Sequence, residues 1–325
     1  MAFKKNLEDP QLKNYNLMIA DSVFAILIYF LIGKKADGTV FVLSTGLSNI
    51  LVSKIPNKLV VESLKSKTPL IKFLYHLTFR LSIKIYWLRR NAKQTFGHDH
   101  LWFSSYFIKN KIVVFEDGLI NYTFTPKNNF KKLIRRKLFN NIEPYGVSEK
   151  AEKIYLTGIT DIPERIKNKV QIIDINTLWN NLDSRRQIEI NDFFDFKFES
   201  HFYNSGLIFL LTGPFSEAGW MSETDKIKLY KKILENYKSK VVIIKPHPRE
   251  KTIYSEIFPH LLVLPSYLPF ELITLNKIKV KKIVTISSSS AMSKNKYEVD
   301  YFDLNGNYKT KSSVILKDIY GTTHS

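Results

Sequence analysis

The sequence predicts an α/β protein of two Rossmann-like domains, each built on a mostly parallel sheet. Three observations predict it. The chain has 325 residues, too long for one ordinary core and suited to two. Short β-branched runs alternate with segments of helical apolar spacing, which is a βαβ rhythm. Residues with chemical character fall just past the ends of predicted strands, where open α/β sheets bind ligands.

The elements follow in order. "NLMIA" is a strand, Ala20–Ser22 a turn, and Val23–Gly33 a core-facing helix. Leu17–Ile32 is the most apolar stretch, but Asp21 and Ser22 break it and it is short for a membrane span. "TVFVLST" and "LVVESL" are the next strands, and residues 68–94 form one long basic amphipathic helix. "KIVVFEDG", "EKIYLTG" and "VQIIDI" complete the first set of strands. Residues 191–204 are aromatic and polar without a period, so the linker is placed there, between domains at 1–195 and 205–325. The second set reads "GLIFLLTGP", a helix over Thr224–Tyr237 with a Thr cap, "KVVIIKPHPRE", "HLLVLPSYLPFELI" and "VKKIVTISSSSAMS".

Bulk composition narrows the chemistry. There is no cysteine, which excludes disulfides, thiolate metal sites and a thiol nucleophile. The formal net charge is +19, and cations cluster in "FKKLIRRKLF" (130–139) and "WLRRNAK" (87–93). Such charge suits anionic lipid, nucleic acid or anionic substrates. No RNP, KH or zinc-finger pattern is present, so nucleic acid is not the expected partner. The N-terminus carries Glu8 and Asp9 before any apolar core and makes a poor signal peptide.

Several constellations sit at strand ends. In "KPHPRE", Pro246 and Pro248 hold His247 in an extended loop, where an imidazole can serve as general acid. Ser287–Ser290 follow an apolar strand, and hydroxyls with backbone N–H groups there suit phosphate; a serine-rich cap is the plain alternative. Glu271 in "FELI" is placed to accept from ribose hydroxyls, or to be a first-turn acid. Thr212 and Gly213 form a turn that lets backbone approach a ligand. His98, Asp99 and His100 read as a loop on the acceptor side; with no third ligand indicated, a zinc site is not expected. In "VVFEDGLINY", Glu116 and Asp117 end a strand ahead of Gly118. Neighbours on a strand point to opposite faces, so only one of the two faces a ligand directly.

"FEDGLINY", "KPHPRE" and "ISSSSA", in this order, resemble the motifs of bacterial sialyltransferases. With "IYLTGITDIP", "LLTGP" and "LPFELI", the chain is similar to the family 52 glycosyltransferases over about residues 95–295. The resemblance implies a GT-B-like fold with the active site in the cleft between the domains. It implies CMP-sialic acid as donor, a galactoside on lipooligosaccharide or capsule as acceptor, and inverting transfer without a metal. Asp117 would match the base, with Glu116 and Gly118 supporting it, and His247 the acid. Ser288, Ser289 and Ser290 would match the phosphate site, Glu271 the ribose contact, and Thr212, Gly213 and Pro248 further donor contacts. Gly213 departs from the pattern, where a longer polar residue is expected. The alternatives are another inverting glycosyltransferase with a different activated sugar as donor, and a nonenzymatic basic binder of polyanions. The implied location is the bacterial cytoplasm; peripheral contact with an anionic membrane and a homodimer stay open.

Overall fold

The computed structural model describes residues 14–62, 64, 67–125, 142–203, 206–238, 240–286 and 297–309. The basic segment 130–139 and the serines Ser287–Ser290 lie outside the described residues. The chain divides into two units, Met1–Ile190 and Asn191–Ser325. A helix over Ser184–Phe193 crosses that division, and a 3-10 turn covers Ser200–Tyr203.

Among the described residues the first unit holds seven parallel strands: β1 Asn16–Ala20, β2 Thr39–Ser44, β3 Lys58–Val61, β4 Gln94–Gly97, β5 Ile112–Phe115, β6 Ala151–Leu156 and β7 Val170–Ile172. Their order is β3-β2-β1-β4-β5-β6-β7, so the order reverses between β1 and β4. β1 and β2 are apolar runs because both faces of the sheet are covered. Helix α1, Val23–Leu31, starts where Ser22 accepts the Ala25 N–H at 3.2 Å. Its Tyr29 packs edge-on against Phe41 and Phe96, and its hydroxyl donates to Thr39, which in turn donates to the Lys35 carbonyl. The buried phenol thus leaves no polar atom unmet.

Two sequence expectations change here. The single helix over 68–94 is two helices, α2 Pro69–Leu81 and α3 Ile83–Asn91. Ser82 separates them in an extended conformation (ψ 112°) and caps the second by accepting from the Ile85 N–H. Serine bonds its own local backbone well enough to compete with helix, which apolar spacing does not reveal. The residues after 93 then form β4, a four-residue central strand, so His98–His100 follow a strand and not a helix. "QTFG" carries no apolar run to announce it. Its glycine explains why: a Cβ on Gly97 would sit 1.9 Å from the Ile19 carbonyl oxygen of β1.

The second unit has strands β8 Leu207–Leu211, β9 Val242–Lys245, β10 Leu262–Val263, β11 Val280–Thr285, β12 Glu298–Phe302 and β13 Tyr308–Lys309. The order is β10-β9-β8-β11-β12-β13, parallel except for the last pair. Its switch point lies between β8 and β11. The helix Glu223–Glu235 is capped by Ser222, not by Thr224, because the Ser222 hydroxyl accepts from Asp225 N–H.

Gly97→Ala is expected to lower stability in urea by at least ~3 kcal/mol, since both the backbone clash and the positive φ of 106° oppose it. Gly33→Ala, with φ 80° and nothing within 4 Å, is expected to lose only about 1 kcal/mol. Equal losses would contradict the close packing of β4 on β1.

Candidate active site

In the first unit, four consecutive strands end in polar residues. β1 is followed by Asp21, β4 by His98, Asp99 and His100, β5 by Glu116 and Asp117, and β6 by Thr157. The register Ile19↔Gly97↔Val114 aligns the first three ends. They surround the switch point of the sheet, where such folds bind ligands.

His98 lies at the centre and is fully buried. Its backbone N–H donates to the Ile19 carbonyl at 2.8 Å, which seats it beside β1. Its Nδ1–H donates to Asp21 Oδ1 at 2.7 Å. Its Nε2 is buried, finds no hydrogen-bond partner among the described residues, and stands 4.0 Å from Asp117 Oδ1. Burial opposes a charge on this ring. The field of Asp117 and the Asp21 hydrogen bond outweigh it and lift His98 to about 9, so the ring is an imidazolium at neutral pH. Burial likewise opposes the charge on Asp21, yet hydrogen bonds from His100 and His98 hold its carboxyl well below the usual range.

His100 Nε2 is 3.4 Å from Asp117 Oδ2 and 3.9 Å from Asp21 Oδ1, and its ring stacks on Tyr145 at 4.7 Å. Asp117 thus faces two imidazoles and keeps a fifth of its side chain open to solvent. Its backbone N–H donates to Asn121 Oδ1 at 2.6 Å, and Gly118 (φ 67°) turns the chain behind it.

Glu116 points the other way. Its side chain accepts from Thr157 N–H at 2.5 Å, from the Thr157 hydroxyl and from the Tyr122 hydroxyl at 3.0 Å, ties that fix the β6 turn. Of the two carboxylates, Asp117 is therefore the one beside the imidazoles. Asp99 is also committed to backbone, accepting from Tyr145 N–H at 2.7 Å and Gly146 N–H at 2.8 Å. It holds the loop that presents Tyr145 to His100.

The expectation that no third ligand accompanies His98 and His100 is corrected. Asp21, 77 residues before His98, joins them in a group whose ligand atoms lie within 4.8 Å of one another. The residue types suit a divalent transition metal. The sequence signal for Asp21 is slight: one acid interrupting the most apolar stretch of the chain.

In the second unit, His247 follows β9. The Arg249 N–H donates to its Nδ1 at 3.1 Å, so the neutral ring carries its proton on Nε2. Burial, then Arg249 and Lys245, push this imidazole down to about 3. It is a neutral donor at rest, not an imidazolium. Glu250, missed in the sequence, holds the loop. Its buried carboxylate accepts from His247 N–H at 2.7 Å, from the Tyr254 hydroxyl at 2.7 Å and from the Thr212 hydroxyl after β8. Lys226, buried among Glu217, Glu223 and Glu250, balances the charge. An acid three residues past a loop histidine was the available signal. Lys245, also missed, is buried, donates to the carbonyls of Pro246 and Ser266, and is pushed down to about 8 by burial against the fields of Glu271 and Glu250. Glu271 lies in the first turn of the helix Phe270–Leu275. Gly213 donates its N–H to the Tyr230 hydroxyl at 2.7 Å, and a Cβ there would meet the Phe215 ring at 2.8 Å. Local packing thus accounts for glycine where a longer residue was expected.

The profile of glycosyltransferase family 52 matches residues 44–303. An uncharacterised protein of Haemophilus influenzae (strain ATCC 51907 / DSM 11121 / KW20 / Rd) is 34% identical over 236 residues, 71% of this chain and 76% of its own. The 2,6-sialyltransferase of Photobacterium sp. JT-ISH-224, solved with CMP and lactose, matches with TM-score 0.58 at 13% identity, over 88% of this chain and 71% of that one. The GT-B domain of the Photobacterium damselae sialyltransferase matches with TM-score 0.51 at 13% identity, over 89% and 90%. At these identities the structural likeness establishes the GT-B fold.

The His98 pKa generates a pH prediction. Its folded value of about 9 exceeds the ordinary histidine value of about 6.5, so its protonation stabilises the fold fully below 6.5. That contribution fades as pH rises through about 9. Nitrogen-15 NMR should find His98 doubly protonated at pH 7, and Asp21→Asn should move its titration down. An unchanged titration would contradict the Asp21 clamp.

Proposed function

This chain belongs to glycosyltransferase family 52, and we propose that it moves sialic acid from CMP-sialic acid to a galactoside-type hydroxyl on a cell-surface glycan. One observation carries the reading: Asp117 ends β5 partly open to solvent, facing the imidazoles of His98 and His100. The CMP and lactose bound to the Photobacterium sp. JT-ISH-224 enzyme support the choice of donor and acceptor class.

An alcohol is a weak nucleophile at neutral pH, so a base must take its proton as the new bond forms. Asp117 fills that role. The acceptor oxygen attacks the anomeric carbon, its proton passes to Asp117, and the bond to the CMP phosphate breaks with inversion. His98, charged and clamped by Asp21, offers Nε2–H beside Asp117. Buried behind Asp117, it acts on the carboxylate through its charge and does not reach the acceptor.

The leaving side belongs to the second unit. His247 donates from Nε2 to the departing phosphate. The arriving anion raises the imidazole's proton affinity, opposing the burial and the Arg249 and Lys245 fields that depress it in the free protein. Glu250 holds the loop so that the donor needs no reordering on binding. Glu271 and the serines Ser288–Ser290 serve the ribose and phosphate.

In this reading no metal takes part. Its support is that the sequence contains no D-x-D triplet, the usual metal-nucleotide clamp of many sugar transferases. The leaving group carries one phosphate, which hydrogen bonds can stabilise.

The test is transfer read by mass, with CMP-sialic acid, CMP-Kdo and UDP-sugars against a galactoside panel, with and without EDTA. CMP-sialic acid alone should give product, undiminished by EDTA. Product only from another donor, or EDTA-sensitive transfer, would overturn the corresponding part. Asp117→Asn should lower kcat by about 10³-fold with CMP affinity unchanged. His247→Ala should lower it by about 10²-fold, less for donors with better leaving groups.

A further inference from the structure

His98 Nε2 is fully buried and has no hydrogen-bond partner among the described residues, and a buried polar atom of that kind calls for a ligand. It faces Asp117 Oδ1 at 4.0 Å, too far for a hydrogen bond. On the other oxygen of the same carboxylate, His100 Nε2 stands 3.4 Å from Asp117 Oδ2. These separations are close to those between ligands of one ion. Around a tetrahedral cation with bonds of about 2.1 Å, neighbouring ligand atoms lie roughly 3.4 Å apart.

The far side of the His98 ring is already arranged for such an ion. Asp21 Oδ1 accepts the Nδ1–H at 2.7 Å, which turns Nε2 toward Asp117. A carboxylate on the second ring nitrogen is the outer support that metal-binding histidines commonly have. Asp21 Oδ1 is also 3.9 Å from His100 Nε2, and the ligand atoms of Asp21, His98 and His100 lie within 4.8 Å of one another. Imidazole nitrogens favour zinc, copper or nickel over magnesium and calcium, which take oxygen ligands. The carboxylates of Asp21 and Asp117 offset a divalent charge. Asp117 and His100 are partly exposed and give the ion a way in. The ion takes the place of the Nε2 proton, which leaves to solvent as the bond forms.

We propose that His98, His100 and Asp117, backed by Asp21, form an inhibitory site for a divalent transition-metal cation, with zinc as the probe. The inhibition rests on the reading of Asp117 as the base; the binding does not. A cation between the two imidazoles engages both oxygens of Asp117 and leaves neither to take an acceptor proton. Cation and acceptor therefore exclude one another, and a chain that holds an acceptor holds no cation there.

The full chain, stripped with EDTA and dialysed, is titrated with zinc chloride by calorimetry, and the zinc-bound chain is measured by X-ray absorption. One zinc per chain should bind with two imidazoles among its ligands, and magnesium should not compete. His100→Ala, Asp117→Asn and Asp21→Asn should each weaken binding by about tenfold or more. His260→Ala, on the exposed surface, should leave it unchanged. Zinc should inhibit transfer, and EDTA or excess galactoside should relieve the inhibition. No stoichiometric zinc, a ligand shell without two imidazoles, or an affinity untouched by the three substitutions would overturn the site. Zinc bound as expected with transfer undiminished would overturn the inhibition. Zinc bound as expected by a chain that transfers from no donor would uphold the site and overturn the transfer reaction.

Discussion

The N-terminal half of the chemistry depends on how closely β4 lies against β1. Only a residue without a side chain fits at Gly97, where a Cβ would strike the Ile19 carbonyl. That approach lets the His98 backbone bond to Ile19 and its ring bond to Asp21, while β5 delivers Asp117 on the other side. The result is an imidazolium between two carboxylates, stable inside the protein because the charges compensate one another. A carboxylate held this way is already oriented before any ligand arrives.

The second unit solves a related problem with a buried carboxylate. Glu250 joins the turn after β8 to the loop after β9, and Lys226 supplies the countercharge from the helix Glu223–Glu235. His247 is thereby fixed as a neutral donor with a defined tautomer. One unit stores a protonated imidazole and the other a neutral one. Both rings are buried; burial, with Arg249 and Lys245, keeps His247 neutral, while at His98 the Asp117 and Asp21 carboxylates outweigh burial.

Much of this was legible as local pattern. The β-branched runs at Asn16–Ala20, Ile112–Phe115 and Val242–Lys245 are strands, and the motif residues Asp117 and His247 follow two of them. What escaped depends on distance along the chain or on backbone approach. Asp21 meets His98 only because the sheet order places β1 beside β4. β4 itself is too short and too polar to stand out, and Ser82 splits a helix without interrupting its apolar period. Which of two adjacent acids faces the imidazoles was settled by Thr157 and Tyr122 capturing Glu116.

In the proposed reaction Asp117 is the group that meets the acceptor. The direct measurement is a crystal structure with CMP and a galactoside bound. The predicted result places an acceptor hydroxyl roughly 2.6–3.2 Å from the Asp117 carboxylate. An acceptor bound out of reach of Asp117, or a cation coordinated by Asp21, His98 and His100, would contradict it.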